Sequence, residues 1–527
     1  MKKTDVAIVG TGPNGLAAAV VMARAGLQVE LFEGHHEIGG GLRSTSLFDT
    51  DITHDVCAAV HPMAAASRFF REFDLASRGV RLCLPEISYA HPLPDGAAAL
   101  AYHDLETTCA QLGADGESWR RLMTPLLERS SDVVDLALSH HRAIPQDLLA
   151  AAKFATRTLT VGTQLGRRTL TTEAGKALLT GVAAHAVGRL PSLASGAIAL
   201  LLGHLAHGSG WPLPEGGSSR IAEVLAADIT AHGGTFHTGC KIDDLRQLQG
   251  TQAVLFDTAP KGLLQAAGEL LPARYARHLA RFRHGPGAAK VDFLVNAPIP
   301  WKDPDVGRPG TVHLGGTQAQ IRHQESLTAA GVAAPEPFVL VVDPAVADPT
   351  RARDGKRPVW AYAHVPNGSS QDPLPMVQAR IEHYAPGFGD TVIASRGISA
   401  RDYETYNPNY VGGDISAGAV TLQQSVLGPA PRVNPYRTPL RGVYLCSAST
   451  PPGPGVHGMS GYLAARSALR HEFGIHTTPS LAPNQMARTS PSGGHDRPPR
   501  SLVDSLRGLG TSLALAQAPR DRGPETC

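Results

Sequence analysis

Aromatic residues are scarce in this 527-residue chain, at 5%, and long apolar runs are missing. The longest, "SGAIALLLGHLA" (Ser195–Ala206), falls short of the roughly 20 residues a membrane-spanning helix needs. A buried core helix explains it, and a peripheral membrane contact stays open. Charge of one sign is also missing: 48 Lys and Arg face 46 Asp and Glu, with no basic cluster, so no nucleic-acid partner is expected. The six cysteines (Cys57, Cys83, Cys109, Cys240, Cys446 and Cys527) include no CxxC or metal-like spacing. No metal is expected, and no redox-active disulfide has a local signature. The opening "MKKTDVAIVG" enters a strand at once, without the apolar stretch of a secretory signal. The expected compartment is the cytoplasm.

What is present starts with a glycine turn. "DVAIVGTGPNGLAAAVVMARAGLQVELFE" reads as strand, turn, helix and second strand. Gly10 permits the tight turn, Gly12 lets backbone approach a pyrophosphate, and Gly15 allows close helix–strand packing. Pro13 and Asn14 open the helix, whose amino end faces the phosphates. Glu33 ends the second strand, where a carboxylate can accept both ribose hydroxyls and disfavours a 2′-phosphate. Gly34 follows, and then "GHHEIGGGLRS" brings Gly40, Gly41, Leu42 and Arg43. A second glycine cluster so close to the acid lets another turn close over the same pyrophosphate, with Arg43 offsetting its charge. The alternative is a loop with a surface arginine. Mid-chain glycine pairs ("HLGGTQ", "EGGSSR") lack a preceding strand and a spaced third glycine, so only one nucleotide fingerprint exists.

Near the other end, "RGVYLCSASTPPGPGVHGMSGYLAARSAL" reads as a strand (443–446), a loop of small residues and a helix from about Gly458. Bare backbone around Gly453, Gly455, Gly458 and Gly461 could support a flat ring, and the helix amino end would stabilise its anionic reduced form. Ser447, Gly455, Val456, Gly458 and Met459 are the cofactor-binding candidates there.

Together "VGTGPNGLAAA", "FEGHHEIGGGLR" and "LCSASTPPGPGVHGMSGYLAA" resemble the phytoene desaturase-like flavoproteins, within the superfamily of flavin amine oxidases and protoporphyrinogen oxidase. The likeness spans about residues 5 to 475. It implies an α/β fold, with a split Rossmann-type FAD-binding domain of the glutathione-reductase-like kind and an inserted helical plus mixed-sheet substrate domain. FAD would lie extended. The resemblance places Ile242 of "GGTFHTGCKIDDL" beside adenine and "AVLFDTAP" near the pyrophosphate. It also places His61 of "HDVCAAVHPM" beside the ring. In "KVDFLVNAPIPW" it maps Lys290 to the flavin's reactive nitrogen, with Trp301 closing the same strand pair. Gly41 and Leu42 intervene before Arg43, and Pro454 interrupts the later glycine run. Both are departures from the family pattern, and the fold alone licenses no substrate.

The expected FAD-binding domain comprises residues 1–75, 211–285 and 431–475. Residues 76–210, largely helical, and 286–430, strand-rich, form the substrate domain, and 476–527 a disordered tail with one short helix near its end. Lys290, His457 and His61 are the catalytic candidates. Lys290 either acts beside the flavin or pairs with a carboxylate, and His457 is either an acid–base group or a histidine bonded to backbone at a helix start. "HVPNGS" around His364 reads as a turn. The expected activity is FAD-dependent removal of hydride from a C–C or C–N bond of a mostly apolar small molecule. Oxygen, a quinone or another diffusible acceptor would take the electrons. A reduced-FAD isomerase and a non-catalytic flavin-binding interaction protein are the alternatives, and the oligomeric state is open.

Overall fold

Four consecutive apolar residues, all buried, make β1 (Val6–Val9) a strand covered on both faces, as central parallel strands are. The computed structural model describes residues 4–48, 50–140 and 144–483. β1 pairs in parallel with β2 (Val29–Glu33) and β10 (Ala253–Phe256). β9 (Thr235–Thr238) and β16 (Val443–Leu445) complete a parallel five-stranded sheet ordered β16-β10-β1-β2-β9. The helix Pro13–Arg24 leaves the β1 turn with proline at its start, where no amide donor is needed. It packs against the helix Met459–Glu472. Gly461 makes this approach possible, because a Cβ there would collide with the Asn14 carbonyl oxygen.

A second, seven-stranded sheet is built from β6 (Ile87–Pro92), β7 (Ala98–Tyr102), β11 (Gly287–Val295), β12 (Thr311–Leu314), β13 (Val339–Val342), β14 (Arg357–Val365) and β15 (Val392–Ile398). Its order is β15-β11-β14-β13-β12-β6-β7. All neighbours are antiparallel except β12 and β6, so the sheet is mixed. Two short pairs flank it: β3 (Ser44–Ser46) with β4 (Thr53–Asp55), and β5 (Leu82–Cys83) with β8 (Leu213–Pro214).

Two sequence expectations need correction. The stretch 76–210 is not simply helical, since β6 and β7 come from it. "AALAY" has helix-forming alanines, but pairing with a fully buried neighbour overrides that weak preference. The body also extends beyond residue 475. Leu481 is buried in the core, and the carbonyls of Ser480, Leu481 and Ala482 accept hydrogen bonds from Arg24 and Arg78. The short helix expected near the carboxy terminus lies outside the described residues. The apolar stretch Ser195–Ala206 falls within the helix Leu193–His207, which is a core element. No helix among the described residues is long and apolar enough to cross a membrane.

Candidate dinucleotide site and the buried network beside it

The first glycine turn has the geometry its residues imply. Gly10 has a φ of +96°, and a Cβ on Gly15 would collide with the Gly10 carbonyl oxygen. The second turn closes on the first. The Gly39 amide donates to the Thr11 carbonyl at 3.0 Å, and a Cβ on Gly40 (φ +55°) would stand 3.0 Å from the Gly12 Cα. Leu42 is fully buried and anchors this second turn in the core. Gly41 leaves room for the Tyr410 hydroxyl, which a Cβ would approach to 2.7 Å. Asn14 is buried, and its Oδ1 has no hydrogen-bond partner among the described residues. That orphaned acceptor beside facing glycine turns fits a site completed by a dinucleotide.

Glu33 stands at the expected strand end with both oxygens engaged. Oε2 accepts from the Thr11 amide (3.0 Å) and hydroxyl (2.6 Å), and Oε1 from the His35 amide (2.9 Å) and Arg43 (3.2 Å). Arg43 thus sits at the Glu33 end and also donates to the Glu37 carbonyl. Within the protein its contacts include this carboxylate and that carbonyl. Gly34 lies beside Lys241, and Ile242 is buried in the cluster on the face of the five-stranded sheet opposite the helix Pro13–Arg24.

Asp257 is a residue that sequence reasoning missed. It follows β10 in "LFDTAP", and its Oδ2 accepts from the Gly15 amide at 2.8 Å, under the first turn. Burial drives its pKa well above the ordinary carboxylate value, against the lowering effect of that amide. This favours the neutral acid, the form that does not repel a pyrophosphate.

At the carboxy-terminal loop, Gly453 (φ +112°) has open space where its Cβ would be, and Gly455 (φ +124°) leaves room for Met63. Val456 is half-buried, while Met459 and Ser447 are buried. Gly458, at φ +67°, caps the helix Met459–Glu472. His457 is fully buried: its Nδ1 accepts from the Met459 amide at 3.0 Å, and its Nε2 lies 3.1 Å from the Gly453 carbonyl. Burial lowers its pKa to about 4. Both ring nitrogens are spent on backbone, so the acid–base role is corrected to that of a clasp at the helix start.

His61 and Lys290 meet in one buried network. The Ser218 hydroxyl donates to the Ala58 carbonyl at 2.6 Å, so His61 Nε2, 2.8 Å away, must be the donor to it. That leaves His61 Nδ1 as a bare acceptor with no partner among the described residues, and burial lowers the ring's pKa to about 4. Lys290 Nζ donates to the Asp55 carbonyl (2.9 Å) and to Asp292 Oδ1 (2.6 Å). The carboxylate-paired reading of Lys290 is the observed one. Burial opposes ionisation of Asp292, but Lys290 and the nearby His54 outweigh it and hold its pKa below the ordinary value. Asp55 is treated likewise by Arg351, 3.0 Å away, and by Ser218 and Ser44. Trp301 does not join Lys290. It packs with Val291 and Phe293 on the opposite face of the seven-stranded sheet.

No sequence signal could have linked Asp55, Asp292 and Arg351, because the pairs span separate segments. The loop residues after Tyr406 tie distant segments to the loop: Asn409 accepts from the Ala259 amide and Asp414 from the Gly285 amide. Among the described residues, one group has metal-ligand proximity, Cys83, Glu215 and Asp348. Asp348 already accepts from backbone and Thr350, and Glu215 pairs with Arg81. Cys57, Cys83, Cys109 and Cys446 are free thiols.

Known proteins agree with this geometry. Residues 8–73 match the model of an NAD(P)-binding Rossmann-like domain. Pyridine nucleotide-disulfide oxidoreductase domain-containing protein 2 of Rattus norvegicus is 24% identical, over 88% of this chain and 93% of its own. One of the limonene dehydrogenase chains of Castellaniella defragrans is 28% identical over 25% of this chain and 23% of its own. Among solved structures, putrescine oxidase bound to putrescine superposes with a TM-score of 0.56 at 15% identity, covering 88% of this chain and 98% of that one. Cyclohexylamine oxidase from Brevibacterium oxydans gives 0.52 at 14%, with the same coverage. The fold is shared with these amine oxidase structures, and the glycine turn lies in the segment that matches a dinucleotide-binding model.

Proposed function

We propose that the protein is an FAD-dependent oxidoreductase of the flavin amine oxidase type, removing hydride from a C–C or C–N bond of a mostly apolar small molecule. The observation that carries this reading is the pair of glycine turns facing each other at the amino end of the helix Pro13–Arg24, with Glu33 closing one side. The FAD would lie extended in the glutathione-reductase-like manner, from Glu33 toward the loop around Gly453. Hydride acceptance is the chemistry FAD supplies when bound, so the protein needs to orient a substrate rather than provide a nucleophile.

This chain's residues divide the remaining work. Lys290, clamped by Asp292, presents a fixed positive charge to the segment 54–61, where it favours negative charge developing nearby. His61 Nδ1 holds a lone pair in the same buried region and can accept a hydrogen bond that orients a substrate. Trp360 and Tyr362, stacked 5.7 Å apart, extend an aromatic wall from Lys290 along β14 and exclude water. Oxygen, a quinone or another diffusible molecule takes the electrons.

The purified protein is expected to be yellow and to release intact FAD on acid denaturation. Anaerobic mixing with apolar amines and alkenes should bleach the flavin band. Glu33→Ala should weaken FAD retention, by about 10- to 100-fold for each charge-assisted ribose hydrogen bond lost, and it also releases Thr11, His35 and Arg43 from the turn. A colourless protein that cannot be reconstituted with FAD, or a flavin that no candidate substrate bleaches, would overturn the reading.

A further inference from the structure

Three segments far apart in the chain bring a thiol and two carboxylates together. Cys83 ends β5 and stands opposite Leu213 of β8. Side chains alternate along a strand, so Glu215, two residues after Leu213, is the diagonal neighbour of Cys83 on the same face. The Glu215 amide donates to the Arg81 carbonyl at 2.9 Å, which carries the pairing that far. Asp348 reaches the same place from the loop after β13, where it caps the turn Pro349–Arg351. The Cys83 sulfur and one carboxylate oxygen from each acid all lie within 4.8 Å of one another. Zinc bound by one sulfur and two oxygens at its usual bond lengths holds them roughly 3.5 Å apart. The half-buried side chain of Glu215 can close that difference by rotation.

The hydrogen bonds leave these donor atoms available. Cys83 is 8% exposed, and its thiol is free, with no hydrogen bond among the described residues. Asp348 is fully buried, and its Oδ1 accepts from the Thr350 amide (3.1 Å) and hydroxyl (2.6 Å). Oδ2 accepts only from the Gly216 amide (2.7 Å) and keeps a lone pair. Glu215 Oε1 meets the exposed Arg81 at 2.9 Å, while Oε2 has no donor among the described residues. An exposed pair of that kind contributes about 0–1 kcal/mol, too little to hold Glu215 against a metal. A buried sulfur without a partner, facing two carboxylates with spare lone pairs, is a donor set suited to a cation.

We propose that Cys83, Glu215 and Asp348 bind one divalent cation of the zinc class, with water in the fourth position. Cys83 gives up its thiol proton on binding, and the sulfur ligates as the thiolate. That sulfur selects zinc over magnesium or calcium, which take oxygen ligands. The ion fastens two arms that converge on Asp55. From Glu215 the chain runs through two glycines to Ser218, whose amide donates to Asp55 Oδ1 at 2.8 Å. From Asp348 it turns to Arg351, whose guanidinium donates to Asp55 Oδ2 at 3.0 Å. The Asp55 carbonyl in turn accepts from Lys290. The ion braces the frame of Lys290 and takes no part in the redox chemistry. No sequence spacing announces it, because its ligands meet only in the fold.

The test uses the full-length protein, freed of metal with a chelator and then dialysed against zinc or magnesium. Metal content is read by mass spectrometry, and alkylation of each cysteine by peptide mapping. One zinc per chain should be retained and no magnesium, and zinc should protect Cys83 from alkylation while leaving Cys57 as reactive as before. Losing a group behind a ligand costs about 10- to 100-fold in metal affinity. Cys83→Ser and Glu215→Gln remove ligands outright and should each cost at least that much. Both are conservative, and neither strips a buried group of a hydrogen bond, so both should fold. Arg81→Ala should tighten zinc binding, since it frees Glu215 Oε1. Equal retention of magnesium, zinc content unchanged in both ligand variants, or Cys83 alkylated equally fast with and without zinc would overturn the proposal. None of these readouts depends on flavin, so the FAD reading stands or falls separately.

Discussion

The five-stranded and seven-stranded sheets handle polar chemistry by different means. Around the parallel sheet, the candidate cofactor groups are backbone: glycine turns, helix amino ends, and one carboxylate with four donors on it. Around the mixed sheet, they are side chains, and many are left without partners: Tyr89 OH, His91 Nδ1, His313 Nδ1, Trp360 Nε1 and His364 Nε2. Backbone donors are held in place by secondary structure and tolerate an empty site. Buried side-chain donors and acceptors do not, since each forfeits hydration until something pairs with it. The difference suggests that the first region is built for a ligand that stays and the second for one that comes and goes.

The sharpest way to break that comparison is acid. Burial lowers the pKa of His91, His204 and His207 to about 4 and of His185 to about 3, and puts His313 well below its ordinary value. An unfolded histidine takes up its proton near pH 6.5, whereas these rings stay neutral in the fold. Between about pH 6.5 and 4 the unfolded chain therefore binds more protons. Stability then falls with falling pH, by about 1.4 kcal/mol per pH unit for each such ring. Five rings around the mixed sheet, against His61 and His457 nearer the carboxy-terminal loop, make this the largest expected effect. All four tryptophans (Trp119, Trp211, Trp301 and Trp360) pack around the mixed sheet and its helices, so their emission reports on that region, and flavin fluorescence reports on the other. Tryptophan emission should change at higher pH than flavin release. Coincident changes would mean that the two regions titrate as one, and a flat thermal midpoint from pH 7 to 5 would mean that these rings are not held neutral.

Lys290 tests where the two regions touch. Lys290→Met leaves Asp292 buried without its cation, and breaking such a pair is expected to cost about 3–5 kcal/mol. Restoring neutrality with the double substitution Lys290→Met, Asp292→Asn should recover most of that loss in urea denaturation. Flavin reduction or reoxidation should remain slow in both variants if the charge serves chemistry. A double variant with parent stability and parent rates in both half-reactions would make the pair purely structural.

Legibility in the sequence follows the same division. Gly10, Gly12, Gly15 and Glu33 could be read because a tight turn, close approach and a ribose acceptor each demand a residue type at a fixed spacing. Arg43 was legible as a residue, but its pairing with Glu33 was not, since spacing does not say which side chains a loop arginine meets. Lys290 was placed by resemblance, yet the Asp55 carbonyl it grips is 235 positions away. The imidazole cluster left no trace at all. His91, His185, His313, Glu325 and His364 come from five separate strands and helices, and His364 reads locally as part of the turn "HVPNGS" although it sits inside β14. Long-range pairing across a mixed sheet has no local period, so side-chain clusters built on it become visible only in the fold.

The smallest expected effect concerns the edge of the dinucleotide region. Truncation after Ile475 removes Leu481, which is 1% exposed within the core that holds the helix Pro13–Arg24. Exposing the pocket of one leucine forfeits about 1.5–3 kcal/mol. Arg24 and Arg78 also lose carbonyl partners at Ser480, Leu481 and Ala482. Both arginines keep Asp228, at 2.6 and 2.7 Å, so they are not left as uncompensated buried charges. The truncated chain should therefore fold and stay yellow, with a urea midpoint below that of a chain ending after Pro483. Since the lost contacts lie behind the Rossmann helix rather than at its glycine turn, FAD affinity should change less than stability does. A chain ending at Ile475 with the parent's midpoint would show that Leu481 packs without stabilising. One that loses FAD before it unfolds would show that the back of that helix, and not only its amino end, holds the nucleotide turn in shape.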